Sequence, residues 1–328
     1  MNKKIPLIVV AGPTASGKTS LGVELAKRLK GEVVSADSMQ IYKGMDIASA
    51  MPTEEEMQGV PHHMLSFLSQ GERYSVAAYC EQANRCISDI VSRGRQPIIV
   101  GGTGLYISSL VDNIEFTQEA TDLELREKLN KRLETEGAAA LLEELRVVDP
   151  ESAARLHEND TKRILRALEL YYQTGVTITE QTRLSRLNGS PYNPLIIGLN
   201  AHEREYLYER INRRVSIMAE NGLVDEARRC LDENKATAAQ AIGHKELMPY
   251  FRGEMTLYEA LDNLRMQTRR YAKRQLTWLR RDDRVNWIFI DEYADFGSLA
   301  DYAHSLCEKF LEEGGQMNCH PKKVKELI

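Results

Sequence analysis

The chain has 328 residues, 42% of them hydrophobic and 28% charged, which is the balance of a globular protein built as one large or two moderate domains. Its 43 basic and 48 acidic residues give a formal net charge of -5, which argues against a sequence-independent polyanion binder while leaving local patches open. No apolar run approaches the roughly 20 residues needed to span a bilayer, so no membrane partner is expected.

In chain order, the first segment, MNKKIPLIVVAGPT, pairs a charged start with an apolar run. It enters a glycine-rich pattern without a small-residue cleavage site, so it reads as a buried first strand and not a signal peptide. Runs rich in Ile, Val and Leu predict strands at Pro6 to Ala11, Glu32 to Ala36, Pro97 to Val100, Pro194 to Leu199 and Trp287 to Ile290. Helical periodicity lies between them, at Thr19 to Lys30 and Tyr74 to Arg93. This alternation predicts an α/β fold with a parallel sheet. From 121 to 182 the pattern is helical without a strand, acidic at first (Asp122, Glu124, Glu127) and basic later, which predicts a helical insertion lobe. The core is then discontinuous, 1–120 and 183–313, with 314–328 a weakly structured tail. Five scattered cysteines without C-x-x-C spacing fit reduced thiols in a cytoplasmic protein. Cys319 and His320 are adjacent but lack the second pair a zinc site requires.

The sharpest motif is GPTASGKT, comprising Gly12, Pro13, Thr14, Ala15, Ser16, Gly17, Lys18 and Thr19, between the first strand and a helix. A diphosphate is a dense anion, and this pattern answers it with close backbone N–H groups, a helix N-terminus, the Lys18 charge and a Thr19 hydroxyl suited to Mg²⁺. The core is therefore expected to be P-loop NTPase-like, binding a diphosphate or a nucleotide such as ATP. The third long strand ends in Gly-Gly-Thr-Gly, without the Asp that motor-type and switch-type NTPases place there, which favours group transfer over a hydrolytic engine. Asp37 follows the second strand and should face the ligand crevice. It suits a general base, a water-mediated Mg²⁺ ligand, or a turn residue. Gly101-Gly102-Thr103-Gly104 should reach the same crevice, although a packing turn is the default reading. Near the end, QTRRYAKRQLTWLRR (Gln267 to Arg281) interleaves basic residues with Tyr271 and Trp278 on a helix, a face suited to nucleic-acid phosphates.

Together these segments resemble the tRNA dimethylallyltransferase (IPP transferase) family. The resemblance rests on GPTASGKT, DSMQIYKGMDI (Asp37 to Ile47), GVPHHML (Gly59 to Leu65), GGTGLYI (Gly101 to Ile107), DPESAARLHENDTKRILRALEL (Asp149 to Leu170), IGHKEL (Ile242 to Leu247) and AKRQLTWLR (Ala272 to Arg280). It implies transfer of a dimethylallyl group from dimethylallyl diphosphate to the exocyclic amine of the adenosine 3′ of the anticodon, in tRNAs reading codons that begin with U. The insertion would clasp the anticodon stem–loop, Mg²⁺ would be the cofactor, and the enzyme would be a cytoplasmic monomer. Residue by residue, the resemblance makes Asp37 the general base and adds Thr103 and Arg210 as catalytic groups. It gives Gly12 to Thr19 the diphosphate, and Thr19 the metal with Asp37 assisting through water. Its tRNA contacts are Asp37, Ser38, Met39, Gln40, Thr103, Arg126, Lys162, Arg163, Ile164, Leu165, Arg166, Gln240, Ala241, Ile242, Gly243, His244 and Lys245. They continue at Lys273, Arg274, Gln275, Leu276, Thr277, Trp278, Leu279 and Arg280.

Three positions depart from the family pattern: Met51 where Lys is common, His244 where Tyr is common, and Val176 where Lys is common. The expectation is retained activity with altered tRNA contacts. A phosphate-loop kinase explains the first three motifs but leaves the basic C-terminal helix unused. A non-catalytic RNA-binding protein predicts that Asp37 is dispensable.

Overall fold

The computed structural model describes residues 4–114, 116, 122–187, 189–232 and 241–314. The chain runs β1 (Ile5–Ala11), α1 (Lys18–Arg28), β2 (Gly31–Ala36), α2 (Glu54–Met57), β3 (His62–His63), α3 (Val76–Ser92), β4 (Gln96–Gly101) and α4 (Gly104–Val111). It continues through α5 (Leu123–Val148), α6 (Pro150–Ala153), α7 (Thr161–Thr174) and α8 (Ile178–Leu187) to β5 (Tyr192–Asn200). Then come α9 (Arg204–Glu220), α10 (Leu223–Asp232), α11 (Met248–Phe251), α12 (Leu257–Leu279), β6 (Val285–Phe289) and α13 (Phe296–Glu312).

The six strands form one parallel sheet in the order β3-β2-β4-β1-β5-β6. β1 is central because both its faces are covered: Leu7, Ile8, Val9 and Val10 are each 0% exposed. Burying each such side chain stabilises by about 1.5–3 kcal/mol, which explains a continuous apolar run where a one-sided strand would alternate. α1 packs Leu21 and Leu25 into the same core, joined by Ala300, Ala303 and Phe310 of α13. β3 lies outside the five expected strands. It is two half-buried histidines paired with Val33 and Val34, so it has neither the length nor the apolar content that a strand announces in sequence.

Contacts divide the chain into two units: Met1–Val111 with Pro191–Ile328, and Asp112–Ser190. The expected insertion limit at 182 falls inside α8, which continues to Leu187 because no helix breaker intervenes before Gly189 and Pro191. The second unit has its own core of Leu129, Leu141, Leu142, Leu145, Ile164, Ala167 and Leu168. Asp149 fastens its turns: Oδ1 accepts from Ser152 N–H at 3.1 Å and from the Thr179 hydroxyl at 2.6 Å. Among the described residues, no helix is long and apolar enough to cross a membrane.

Candidate active site

The carboxyl ends of β1, β2 and β4 bring three loops together, as parallel α/β sheets do at their ligand crevice. After β1, Ala15 (φ 64) and Gly17 (φ 90) take left-handed backbone and turn the chain into α1. The loop is held from outside by side chains far along the sequence. Arg210 Nε donates to Ala15 O at 2.8 Å, and Thr14 N–H donates to Gln275 Oε1 at 2.9 Å. Ser16 N–H turns back to Pro13 O at 3.3 Å. The first-turn amides of α1 begin at Lys18 and have no intrahelical partner by the geometry of any helix start.

A cavity of about 370 Å³ opens over these loops, lined by Thr14, Lys18, Thr19, Asp37, Ser38, Met39, Gln40, Arg214, Tyr271, Arg274 and Gln275. Asp37 is fixed by its own turn, with Oδ1 accepting Met39 N–H at 2.9 Å. Thr103 stabilises that turn from β4's side: its Oγ1 accepts Ser38 N–H at 2.9 Å and donates to Ser38 Oγ at 3.3 Å. Gln40 accepts from Ser35 Oγ at 2.9 Å and donates to Ala50 O at 3.1 Å, holding the 49–50 segment at the rim.

The electrostatics of the cavity are cationic. Burial, and then the charge of Arg214, push the Lys18 ammonium down to about 8, with Asp37 opposing. Arg214 is itself lowered by burial, with Asp37 and Glu56 opposing. Burial and the nearby Asp37 charge raise the Tyr271 hydroxyl. A neighbouring cavity of about 530 Å³ shares Lys18, Thr19 and Arg214 and adds Arg210, Arg213, Glu56 and Met51. Cations crowded without full neutralisation are what a polyanionic ligand requires. Met51 thus lies among arginines of α9.

The basic face of α12 exposes Arg270, Lys273, Arg274, Thr277, Arg280 and Arg281. Three residues of the same stretch turn inward. Leu279 is 2% exposed, Leu276 packs on the central core, and Gln275 is 6% exposed, so the first two are not surface contacts. Trp278 covers Gly104, where an added Cβ would come within 2.1 Å of the indole.

Of the 240–245 segment, Gln240 lies outside the described residues. Ala241, Ile242 and Lys245 line the main cavity. His244 does not. It is 0% exposed, with Nε2 3.0 Å from Glu226 Oε1. Glu226 also accepts Ile47 N–H at 2.7 Å and Ala48 N–H at 2.9 Å. The departure at His244 therefore acts on the backbone at the cavity rim and makes no direct tRNA contact. Gly243, at φ +110, is the turn that carries His244 inward.

In the second unit, α5 and α7 bring Arg126, Lys162 and Arg166 around a cleft of about 330 Å³. Glu169, almost fully buried, accepts Arg166 Nη1 at 2.9 Å and Arg126 Nη2 at 3.2 Å on one carboxylate oxygen. Arg163 is exposed, and Leu165 packs at the edge of this unit's core. Ile164 is 0% exposed and belongs to that core, so it is not a surface contact. Val176 N–H donates to Thr174 Oγ1 at 3.0 Å in the turn after α7. The tail beyond Gly314, with Cys319 and His320, lies outside the described residues.

Two site residues escape the sequence reading, Arg214 and Glu226, while Tyr271, read there as part of the basic helix face, lines the cavity. Arg214 had a usable signal, since it stands four residues after Arg210 on α9 and shares its face. Glu226 had none, because its partners are 18 and about 178 residues away.

This geometry of a diphosphate-type loop, an opposing carboxylate and a basic helix describes a transferase handling an anionic donor. The profile described as IPP transferase matches residues 40–282. The chain is 48% identical over 301 residues to the tRNA dimethylallyltransferase of Caldanaerobacter subterraneus subsp. tengcongensis, covering 90% of this chain and 96% of that one. It is 46% identical over 288 residues to that of Bacillus subtilis, covering 87% and 91%. Among solved structures, it is similar to the full-length tRNA isopentenylpyrophosphate transferase of Bacillus halodurans at a TM-score of 0.71 and 43% identity, covering 95% of this chain and 98% of that one. A eukaryotic dimethylallyltransferase solved acting on tRNA gives a TM-score of 0.82 at 28% identity, covering 99% and 84%. The chain belongs to the IPP transferase family and is a prenyl-group transferase.

Proposed function

We propose that the chain is a tRNA dimethylallyltransferase with a P-loop NTPase-like core, transferring the allylic group of dimethylallyl diphosphate to the exocyclic amine of the adenosine 3′ of the anticodon. The observation that carries this reading is the meeting of Asp37 with Lys18, Thr19 and Arg214 in one cavity beneath a basic helix. A nucleotide loop that served only a kinase would leave Arg274 and the basic surface of α12 without a role.

The donor's diphosphate lies against the first-turn amides of α1, Lys18 and Arg214. Arg210 contributes by holding Ala15 and so the shape of the loop. An aromatic exocyclic amine is a poor nucleophile. Asp37 takes its proton as the carbon–nitrogen bond forms and the allylic carbon–oxygen bond breaks. Negative charge grows on the departing diphosphate, where Lys18 and Arg214 stabilise it in a partly desolvated setting. The adenine must leave the loop stack to enter the cavity, at a cost of a few kcal/mol that contacts along α12 offset.

Mg²⁺ fits the residues present. The Thr19 hydroxyl and Asp37 carboxylate line one cavity, and among the described residues no group of three His, Cys, Asp or Glu side chains could hold a metal on its own. Such a sparse donor set suits Mg²⁺, which keeps waters and draws ligands from substrate phosphates. When bound there, it neutralises diphosphate charge. Arg126, Lys162, Arg163 and Arg166 serve the RNA backbone in the second unit. The enzyme acts on tRNAs reading codons that begin with U, as a cytoplasmic monomer.

The test is incubation of the purified protein with dimethylallyl diphosphate, Mg²⁺ and unmodified tRNA, followed by mass spectrometry of digested nucleosides. A dimethylallyl mass increase on the adenosine 3′ of the anticodon is expected. ATP turnover without tRNA binding would instead establish the kinase.

A further inference from the structure

The Gly-Gly-Thr-Gly turn after β4, for which packing is the default reading in sequence, is in the structure a docking face for α12. An added Cβ at Gly102 would lie 2.2 Å from Gln275 Nε2, and one at Gly104 would lie 2.1 Å from the Trp278 ring. Gln275 uses both ends of its amide there: Oε1 accepts Thr14 N–H at 2.9 Å, and Nε2 donates to Gly102 O at 3.0 Å. It thereby ties the loop after β1 to the loop after β4. The Thr14 amide, which the sequence pattern offers to the anion, is already committed to this side chain.

We infer that Gln275 is a positioning residue that sets the diphosphate loop through Thr14 and Gly102, and so links the basic helix α12 to the donor site. A side-chain amide accepts at one end and donates at the other without titrating. Glu would keep the acceptor for Thr14 but set a carboxylate oxygen against Gly102 O; Leu would leave both backbone groups unpaired. Tyr271 and Trp278 lie one turn before and one turn after Gln275 on α12. The former lines the cavity with Asp37, and the latter covers Gly104. One face of α12 therefore braces both loops while Arg270 and Lys273 face outward and Arg274 stands at the cavity mouth. Displacement of this helix is transmitted to Thr14.

The inference rests on the reading of Gly12 to Thr19 as the diphosphate loop, and the experiment separates the two. Inorganic diphosphate with Mg²⁺ is titrated calorimetrically into the full chain. Absence of diphosphate binding by the native protein would sink the loop reading itself. With native binding present, Gln275→Leu is expected to weaken diphosphate binding at least about tenfold, because it removes both hydrogen bonds. Gln275→Glu, which sets a buried carboxylate against Gly102 O and within the donor cavity, should bind diphosphate no better than Gln275→Leu. Gly102→Ala alone should weaken diphosphate binding strongly, because its Cβ strikes Gln275. In a Gln275→Ala background the same change should cost less, the remaining close neighbour being Gly12 O at 3.3 Å. Equal losses from Gly102→Ala in both backgrounds, or native diphosphate affinity in Gln275→Leu, would overturn the role assigned to Gln275.

Discussion

The two ends of β2 carry two acids with opposite surroundings. At its start, Glu32 is 1% exposed and its carboxylate is saturated: Arg93 binds both oxygens, His63 Nε2 lies 2.7 Å away and Arg95 Nε 3.4 Å away. The Arg93 hydrogen bonds lead in pulling its pKa down to about 2, against the opposing effect of burial. At the other end, Asp37 accepts the Met39 N–H, and the cations near it are lowered by burial first and then by a neighbouring arginine, Arg214 for Lys18 and Arg210 for Arg214. One end has spent its polar groups on one another, whereas the other holds them available for a ligand. Satisfied networks stabilise folds, and incompletely neutralised ones bind and react.

The comparison can be broken most forcefully at the cationic end. Arg214→Gln should lower turnover by about 10²–10³, as loss of one donor to developing charge does, with tRNA affinity unchanged in filter binding. An unaltered rate would remove Arg214 from the leaving-group site. A titration sharpens the same point. Free Lys18 loses its proton as pH rises through about 8, and on the proposed function a bound diphosphate should restore it. Diphosphate binding at pH 8.5–9 should therefore take up a proton, read calorimetrically in buffers of differing ionisation enthalpy, and affinity should fall above pH 8. In the ligand-free protein the sign is reversed for folding. The unfolded chain, with Lys18 near 10.5, binds more protons than the native one between about 8 and 10.5, so this group adds stability as pH rises through that window.

The saturated end gives a smaller, different effect. Glu32→Gln should cost about 1–3 kcal/mol of stability, seen as a lower denaturant midpoint, with activity unchanged. Because the folded pKa of Glu32 is depressed, its contribution is present above the ordinary carboxylate range. It disappears as pH falls from there through about 2, so the variant and native midpoints should converge in acid. The smallest change is expected from Met51→Lys. Met51 already lies among Arg210, Arg213 and Arg214, so a further cation should alter donor KM by no more than about threefold in steady-state assays.

What was legible in the sequence was local. GPTASGKT is a contiguous pattern whose chemistry needs adjacency, and buried parallel strands must be apolar runs, so the loop and five strands could be read directly. The β3 pair of histidines could not, since two residues paired by backbone alone leave no periodicity. Gln275 sits in a segment legible as basic and RNA-facing, yet it points to Thr14, 261 residues away. Which face of α12 turns inward depends on Gly102 and Gly104 making room for it. His244 reads as a surface departure until Glu226 is seen drawing it inside. Helix periodicity marks a face as apolar or polar, but it does not say which polar residue is committed to backbone across the fold.

On the proposed function, chemistry resides at the carboxyl end of β2 and stability at its start. The most direct test is a side-by-side measurement of single-turnover dimethylallyl transfer and thermal melting for native protein, Asp37→Ala and Glu32→Gln, at saturating donor and tRNA. The expected result is that Asp37→Ala melts like the native protein but transfers about 10²–10⁴ times more slowly, while Glu32→Gln transfers at the native rate but melts lower. A native rate in Asp37→Ala, or a comparable loss of rate in folded Glu32→Gln, would contradict the account.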